Sequence, residues 1–190
     1  MPMSAANAVP RAGESAGEGP YEELVALHRA GTLVEQYPRL DRLVERLSGA
    51  ELLAAGQLLA RLSPAEVTAR HPTVPCIRVA VTGHGTLATL VPALAAQAAR
   101  HGLVAFTTLA DFDSYVFDLA DRGSALYAAG ADLTLCVLDP EVVFDEVPVP
   151  WRPDDVEHAF AEKLRLLDTL AATFEAGFVH PVVCTLATPT

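Results

Sequence analysis

The sequence predicts an α/β fold, a doubly wound parallel sheet preceded by a small helical region. Three observations carry that prediction. Residues 76–82 are a short β-branched run that ends in glycine, as a buried strand does. The Ala- and Leu-rich stretch 87–100 follows at once, giving a strand–turn–helix unit. Apolar runs at 103–109, 131–138 and 181–186 then alternate with helical patterns, which implies right-handed crossovers and helices on both faces.

Taken in order, residues 1–19 are dominated by Gly, Pro, Ser and Ala and read as a flexible leader. Residues 20–70 form the helical region. Leu24, Leu27 and His28 recur at helical spacing, with Gly31 as a stop. Leu40, Leu43, Val44 and Leu47 make a second stripe, closed by Ser48 and Gly49. Leu52, Leu53, Leu58, Leu59 and Leu62 make a third. Ser63, Pro64 and Glu66 combine an N-cap, a proline in the first turn and a reciprocal acid, which starts a short helix. These stripes are core faces and carry no chemistry.

Residues 71–190 form the α/β domain, entered between Pro72 and Pro75. Pro92 falls inside the helix 87–100, which predicts a start near residues 86–89 or an irregular first turn. A long amphipathic helix spans 154–176, with Val156, Phe160, Leu164, Leu167, Leu170 and Phe174 on its apolar face. The Pro-rich segment 147–153 is extended, with Trp151 either available for a contact surface or, more plainly, packed over the domain. The sequence stops four residues after the fourth strand, so that strand is expected at a sheet edge and the domain to be cut short or to work beside a larger protein.

Composition excludes several functions. A formal charge of −11 argues against nucleic acid, whose phosphates demand clustered Lys and Arg. It would also repel acidic partners unless a local basic patch compensates. No apolar run approaches the roughly 18 residues of a membrane span, and no signal peptide opens the chain, so a cytoplasmic location is expected. Cys76, Cys136 and Cys184 are far apart and fall in or beside strand-like runs, which reads as buried thiols without metal or redox work.

Ligand sites in doubly wound sheets lie beyond the carboxyl ends of the strands. Three segments therefore attract attention. After the first strand come Gly83, His84, Gly85 and Thr86, where glycines allow a tight turn and a helix start offers N–H groups to an anion. With Ala88 the turn formally fits a dinucleotide fingerprint, but no acid closes the second strand at the ribose position; Asp111 stands shortly beyond it. His84 is either a base or ligand contact, or a structural histidine. After the second strand come Asp111, Asp113, Ser114 and Tyr115, which could bind a metal or polar substrate; equally, Asp111 and Ser114 could cap the next helix. After the third comes Asp139, a helix cap or a site residue.

A family resemblance joins these segments. Leu27-His28-Arg29-Ala30-Gly31, Tyr37-Pro38, the 83–86 turn with Leu90-Val91-Pro92-Ala93-Leu94, Phe112-Asp113-Ser114-Tyr115, Ser124-Ala125-Leu126-Tyr127 and Leu138-Asp139 together resemble the N-terminal region of FkbH-like proteins over about residues 21–187. The resemblance implies an SGNH-hydrolase-like, flavodoxin-like domain that in the family precedes a magnesium-dependent haloacid-dehalogenase-type domain. Such proteins load a glyceryl unit from a phosphorylated three-carbon donor onto an acyl carrier protein in polyketide-type natural product biosynthesis. No D-x-D-x-T run occurs here, so no cofactor is expected in this chain, and magnesium only with the missing catalytic domain. The SGNH serine position holds Gly85, and the closing Asp-x-x-His block is absent, so hydrolase activity is not implied.

The expectation is therefore an accessory FkbH-like domain that binds rather than catalyses. Its expected partners are an acyl carrier protein and a haloacid-dehalogenase-type domain. One alternative is an enzyme using His84 with Asp113 or Asp139; another is a nucleotide-binding Rossmann-like module.

Overall fold

Four strands, β1 (Cys76–Gly83), β2 (Val104–Leu109), β3 (Leu133–Leu138) and β4 (Val182–Leu186), pair in parallel in the order β2-β1-β3-β4. The computed structural model describes residues 19–175 and 182–186. Apart from Gly19, the expected leader lies outside the described residues, as do Ala176 and Pro181. The order matches the first four strands of a flavodoxin-like sheet, and the switch in strand order falls between β1 and β3. β4 stands at one edge, as expected.

β1 is central because its residues serve two cores. Val79 and Val81 face one side and pack with Leu87 of the turn, while Ala80 faces the other side. After β1 the chain makes a 3-10 turn at Leu87–Thr89 before helix α6 (Leu90–Arg100) begins. Pro92 thus sits in the first turn, where an amide N–H has no helical partner to lose.

α6 packs on one face of the sheet and is covered in turn by the helical region. That region comprises α1 (Pro20–Arg29), α2 (Leu33–Gln36), α3 (Leu40–Val44), α4 (Gly49–Leu59) and α5 (Pro64–Arg70). Its stripes close on a shared core, in which Leu24, Leu40, Val44 and Leu59 meet Ala99 of α6 and Val104 of β2, except that Leu53 of the third stripe is exposed. The Ser63 hydroxyl caps α5 by accepting from the Glu66 N–H at 3.3 Å. Tyr37 ties region to sheet: its hydroxyl donates to the Leu103 carbonyl at 2.9 Å, and burial pushes its pKa up to about 12.

The opposite face carries α7 (Tyr115–Ala120), α8 (Ala125–Ala128), α9 (Glu141–Phe144) and α10 (Pro153–Glu175). Here three expectations need correction. The buried stripe of α10 runs through Ala159, Lys163, Leu167, Leu170 and Phe174, whereas Phe160 and Leu164 are exposed. Steps of four and three residues select Lys163 over its apolar neighbours because a buried partner awaits its ammonium. Trp151 does not pack over the domain; it is 62% exposed, beside the cis peptide Val149-Pro150. Cys136 is buried but Cys76, at the start of β1, is exposed.

Candidate functional site

The site begins where β1 runs out. Gly83 pairs with Val137 of β3 at a φ of 151°, and a Cβ there would lie 1.8 Å from the Val137 carbonyl oxygen. Only glycine lets the two strands meet so closely. The next amide, His84 N–H, donates to the same carbonyl at 2.9 Å, which fixes the histidine over the β1–β3 junction.

On the β3 side, Asp139 follows the last strand residue. Its Oδ1 accepts from the Glu141 N–H at 2.8 Å, across Pro140 at the N-cap position of the short helix α9. The same oxygen lies 3.1 Å from His84 Nδ1, and His84 is only 13% exposed at its side chain. Asp139 thus bonds the first amide of α9 and also faces His84. Nδ1 is shut off from solvent yet makes no hydrogen bond, so the carboxylate approaches it obliquely rather than along an N–H direction. The Glu141 carboxylate completes a group in which one ligand atom from each of His84, Asp139 and Glu141 lies within 4.8 Å of the others.

Beside this pair is a hollow of about 140 Å³, open to solvent, lined by His84, Asp113 and Tyr115 and, from α9 onward, by Val142, Asp145, Glu146 and Lys163. Asp113 reaches it from a left-handed backbone conformation, φ 53°, one that Asp tolerates better than most residues. Lys163 is 8% exposed at its side chain, pairs with the half-exposed Glu146 and lies 3.5 Å from the Tyr115 hydroxyl. Burial pulls the Lys163 ammonium down, and its hydrogen bonds to Glu146 and Tyr115 more than offset this, so it stays charged above its ordinary range. Burial raises the Tyr115 phenol, with the nearby ammonium offsetting part of the rise.

Beneath the hollow is a buried carboxylate. Asp118 of α7 accepts from Thr82 of β1 at 2.8 Å and from Ser114, and the Ser124 hydroxyl donates to its main-chain carbonyl at 2.8 Å. Ser114 stands at the N-cap position of α7, but its hydroxyl lies within hydrogen-bonding distance of the Asp111 carbonyl and the Asp118 carboxylate and gives its one proton to either of them rather than capping an amide. The cap expected of Asp111 and Ser114 is therefore replaced by a clamp that holds α7, and with it Tyr115, against β1.

Of the residues singled out from sequence, the structure brings His84, Asp113 and Tyr115 to one hollow and sets Asp139 against His84. Gly83 and Gly85 shape the turn. Thr86 and Asp111 are exposed, and neither lines the hollow. Sequence reasoning missed Lys163, Glu146, Glu141 and Asp118. Lys163 did leave a signal, a lysine in step with Ala159 and Leu167. The charge balance around the hollow is acidic, with Asp113, Asp145 and Glu146 against Lys163. A separate cavity of about 190 Å³ between the helical region and β2 is lined mainly by apolar groups such as Leu59, Val67 and Val91, and lies away from this cluster.

No family model and no curated protein matches the sequence. A solved structure does: the N-terminal part of the protein BF1531 from Bacteroides fragilis, containing phosphatase domain and complexed with Mg, covers 73% of this chain with a TM-score of 0.56 at 13% identity. The likeness is one of fold. This chain spans 34% of that one, about a third of its length. Among the described residues no helix is long and apolar enough to cross a membrane.

Proposed function

We propose that this chain is a binding domain of the kind that precedes the catalytic half in FkbH-like proteins, and that it holds a small polar ligand over β1 and β3 without turning it over. The observation that carries this reading is the backbone at residue 85. Gly85 has a φ of 91°, and a Cβ there would sit 3.2 Å from Asp139 Oδ2. An L residue at that point is strained, so the turn is built without a serine nucleophile. The formed hollow with His84, Asp113 and Tyr115 supports ligand binding, and the fold likeness to a protein containing a phosphatase domain supports a place beside such a domain. The ligand class taken from the resemblance is a phosphorylated three-carbon unit. Asp113, Asp145 and Glu146 repel its phosphate as they would an acidic carrier protein, so the phosphate would have to meet Lys163 or a bound cation and the carrier to dock away from this rim.

The test uses the purified chain with 1,3-bisphosphoglycerate and with p-nitrophenyl acetate, and a calorimetric titration with 3-phosphoglycerate. Saturable binding without turnover is expected. Turnover of either compound would sink the binding-only reading.

A second reading has one specific observation in its favour, the 3.1 Å approach of Asp139 to His84. With the imidazole turned so that its Nδ1–H meets Asp139, Nε2 is left as the proton acceptor of a general base. On this reading turnover is found, and His84→Ala abolishes it while circular dichroism stays unchanged.

A further inference from the structure

The same corner of the sheet has a donor set that the readings above use only in part. We infer that His84 Nδ1 and the carboxylates of Asp139 and Glu141 bind a divalent transition-metal ion, Zn²⁺ or Mn²⁺, at the ends of β1 and β3.

The first support is convergence of chemically different ligands. An imidazole nitrogen and two carboxylate oxygens lie within 4.8 Å of one another. They come from two adjacent parallel strands and the helix start that follows the second. Two of the three are fixed by the main chain: His84 through its N–H to the Val137 carbonyl, Asp139 through the Glu141 N–H. Glu141 is exposed and free to swing inward.

The second support is the state of Nδ1. It has no access to solvent and no hydrogen-bond partner, although a carboxylate oxygen is 3.1 Å away. A simple His–Asp pair would align the N–H with that oxygen. An oblique contact is what two ligands of a common ion make along an edge of its coordination shell. Metal–ligand bonds of about 2.1 Å put neighbouring ligands about 3.0–3.4 Å apart for octahedral and tetrahedral arrangements. The observed 3.1 Å falls in that span.

The donor set limits the ion. One imidazole with two carboxylates is too oxygen-rich for a thiolate-seeking metal and carries a nitrogen that Mg²⁺ and Ca²⁺ do not favour. Three protein ligands leave positions open, as in sites where the metal meets a ligand rather than staples a fold. An ion there would invert the sign of an acidic corner and give a phosphate or carboxylate oxygen somewhere to bind. That consequence rests on the binding reading above; the ion's site does not.

The test titrates the metal-free full chain with ZnCl₂ and, separately, MnCl₂ by calorimetry, with the Mn²⁺ electron paramagnetic resonance signal as a second readout. One equivalent of at least one ion should bind, and His84→Gln and Glu141→Gln should each weaken it by more than about ten-fold, the loss that removing a mere supporting group can reach. Glu141 is exposed, so its variant keeps the fold even if that of His84 does not. No binding of either ion, or unchanged affinity in Glu141→Gln, overturns the inference. Binding of 3-phosphoglycerate that survives a chelator would leave the binding reading standing and remove the ion from it. Metal binding with no 3-phosphoglycerate binding would do the reverse.

Discussion

Tyr37→Phe is expected to weaken the protein at pH 9 and to strengthen it relative to wild type near pH 12. The phenol sits where the helical region meets β2, 7% exposed, and donates to the Leu103 carbonyl at 2.9 Å. Losing that bond costs about 1 kcal/mol at pH 9, where the phenol is neutral in both states. Burial raises the folded pKa from 10.0 to about 12. Above the unfolded value the unfolded chain releases a proton that the folded chain keeps, so wild-type stability falls as pH rises between those two values. The two-unit difference is worth about 2–3 kcal/mol once pH exceeds the folded pKa. Phenylalanine has no proton to lose, so the two stability curves cross between the two pKa values. Urea unfolding of both proteins at pH 9, 10, 11 and 12 gives the difference directly, and the subtraction cancels alkaline effects elsewhere in the chain. Parallel curves across this range would refute the burial argument.

Two further outcomes follow from close contacts. Gly83→Ala should cost more than about 3 kcal/mol, as overpacking against a main-chain carbonyl cannot relax by rotamer change; denaturant midpoints check this, and a loss below about 1 kcal/mol contradicts it. Glu146→Gln should cost more stability than Lys163→Met, because the first leaves a buried ammonium without its counter-charge and the second removes the buried charge altogether. Thermal unfolding at pH 7 ranks the pair, and the reverse ranking would show that the ammonium is satisfied by Tyr115 alone.

The strand–turn–helix of β1 and α6 was legible because each part obeys local rules: a β-branched run, two glycines, then alanines and leucines. Of the two openings expected for α6, a start near residues 86–89 or an irregular first turn, the structure has the second, and Pro92 lies in the first turn of the helix proper. The capped start of α5 was equally plain in Ser63, Pro64 and Glu66. Legibility failed where a side chain answers to a partner distant in sequence. Lys163 is buried because Glu146 and Tyr115 meet it, and Phe160 and Leu164 face outward in consequence. Ser114 looked like a cap because Ser at a helix start usually is one; the buried Asp118 carboxylate, four residues on, takes its proton donor instead. In the site, His84 and Asp139 could each be suspected from their strand ends. Their pairing was one of two open options, Asp113 or Asp139, and the choice depends on β1 and β3 being neighbours, a fact of strand order that no local pattern encodes.

Gly85 has a consequence for how this corner can change over generations. Its left-handed backbone and the nearby Asp139 oxygen mean that a single codon change to serine yields a strained turn rather than a working nucleophile. Placing a nucleophile at this turn would take a re-laid loop and a repositioned carboxylate together, two changes of which neither helps alone. Drift can vary what the hollow holds far more easily than it can give the turn a nucleophile.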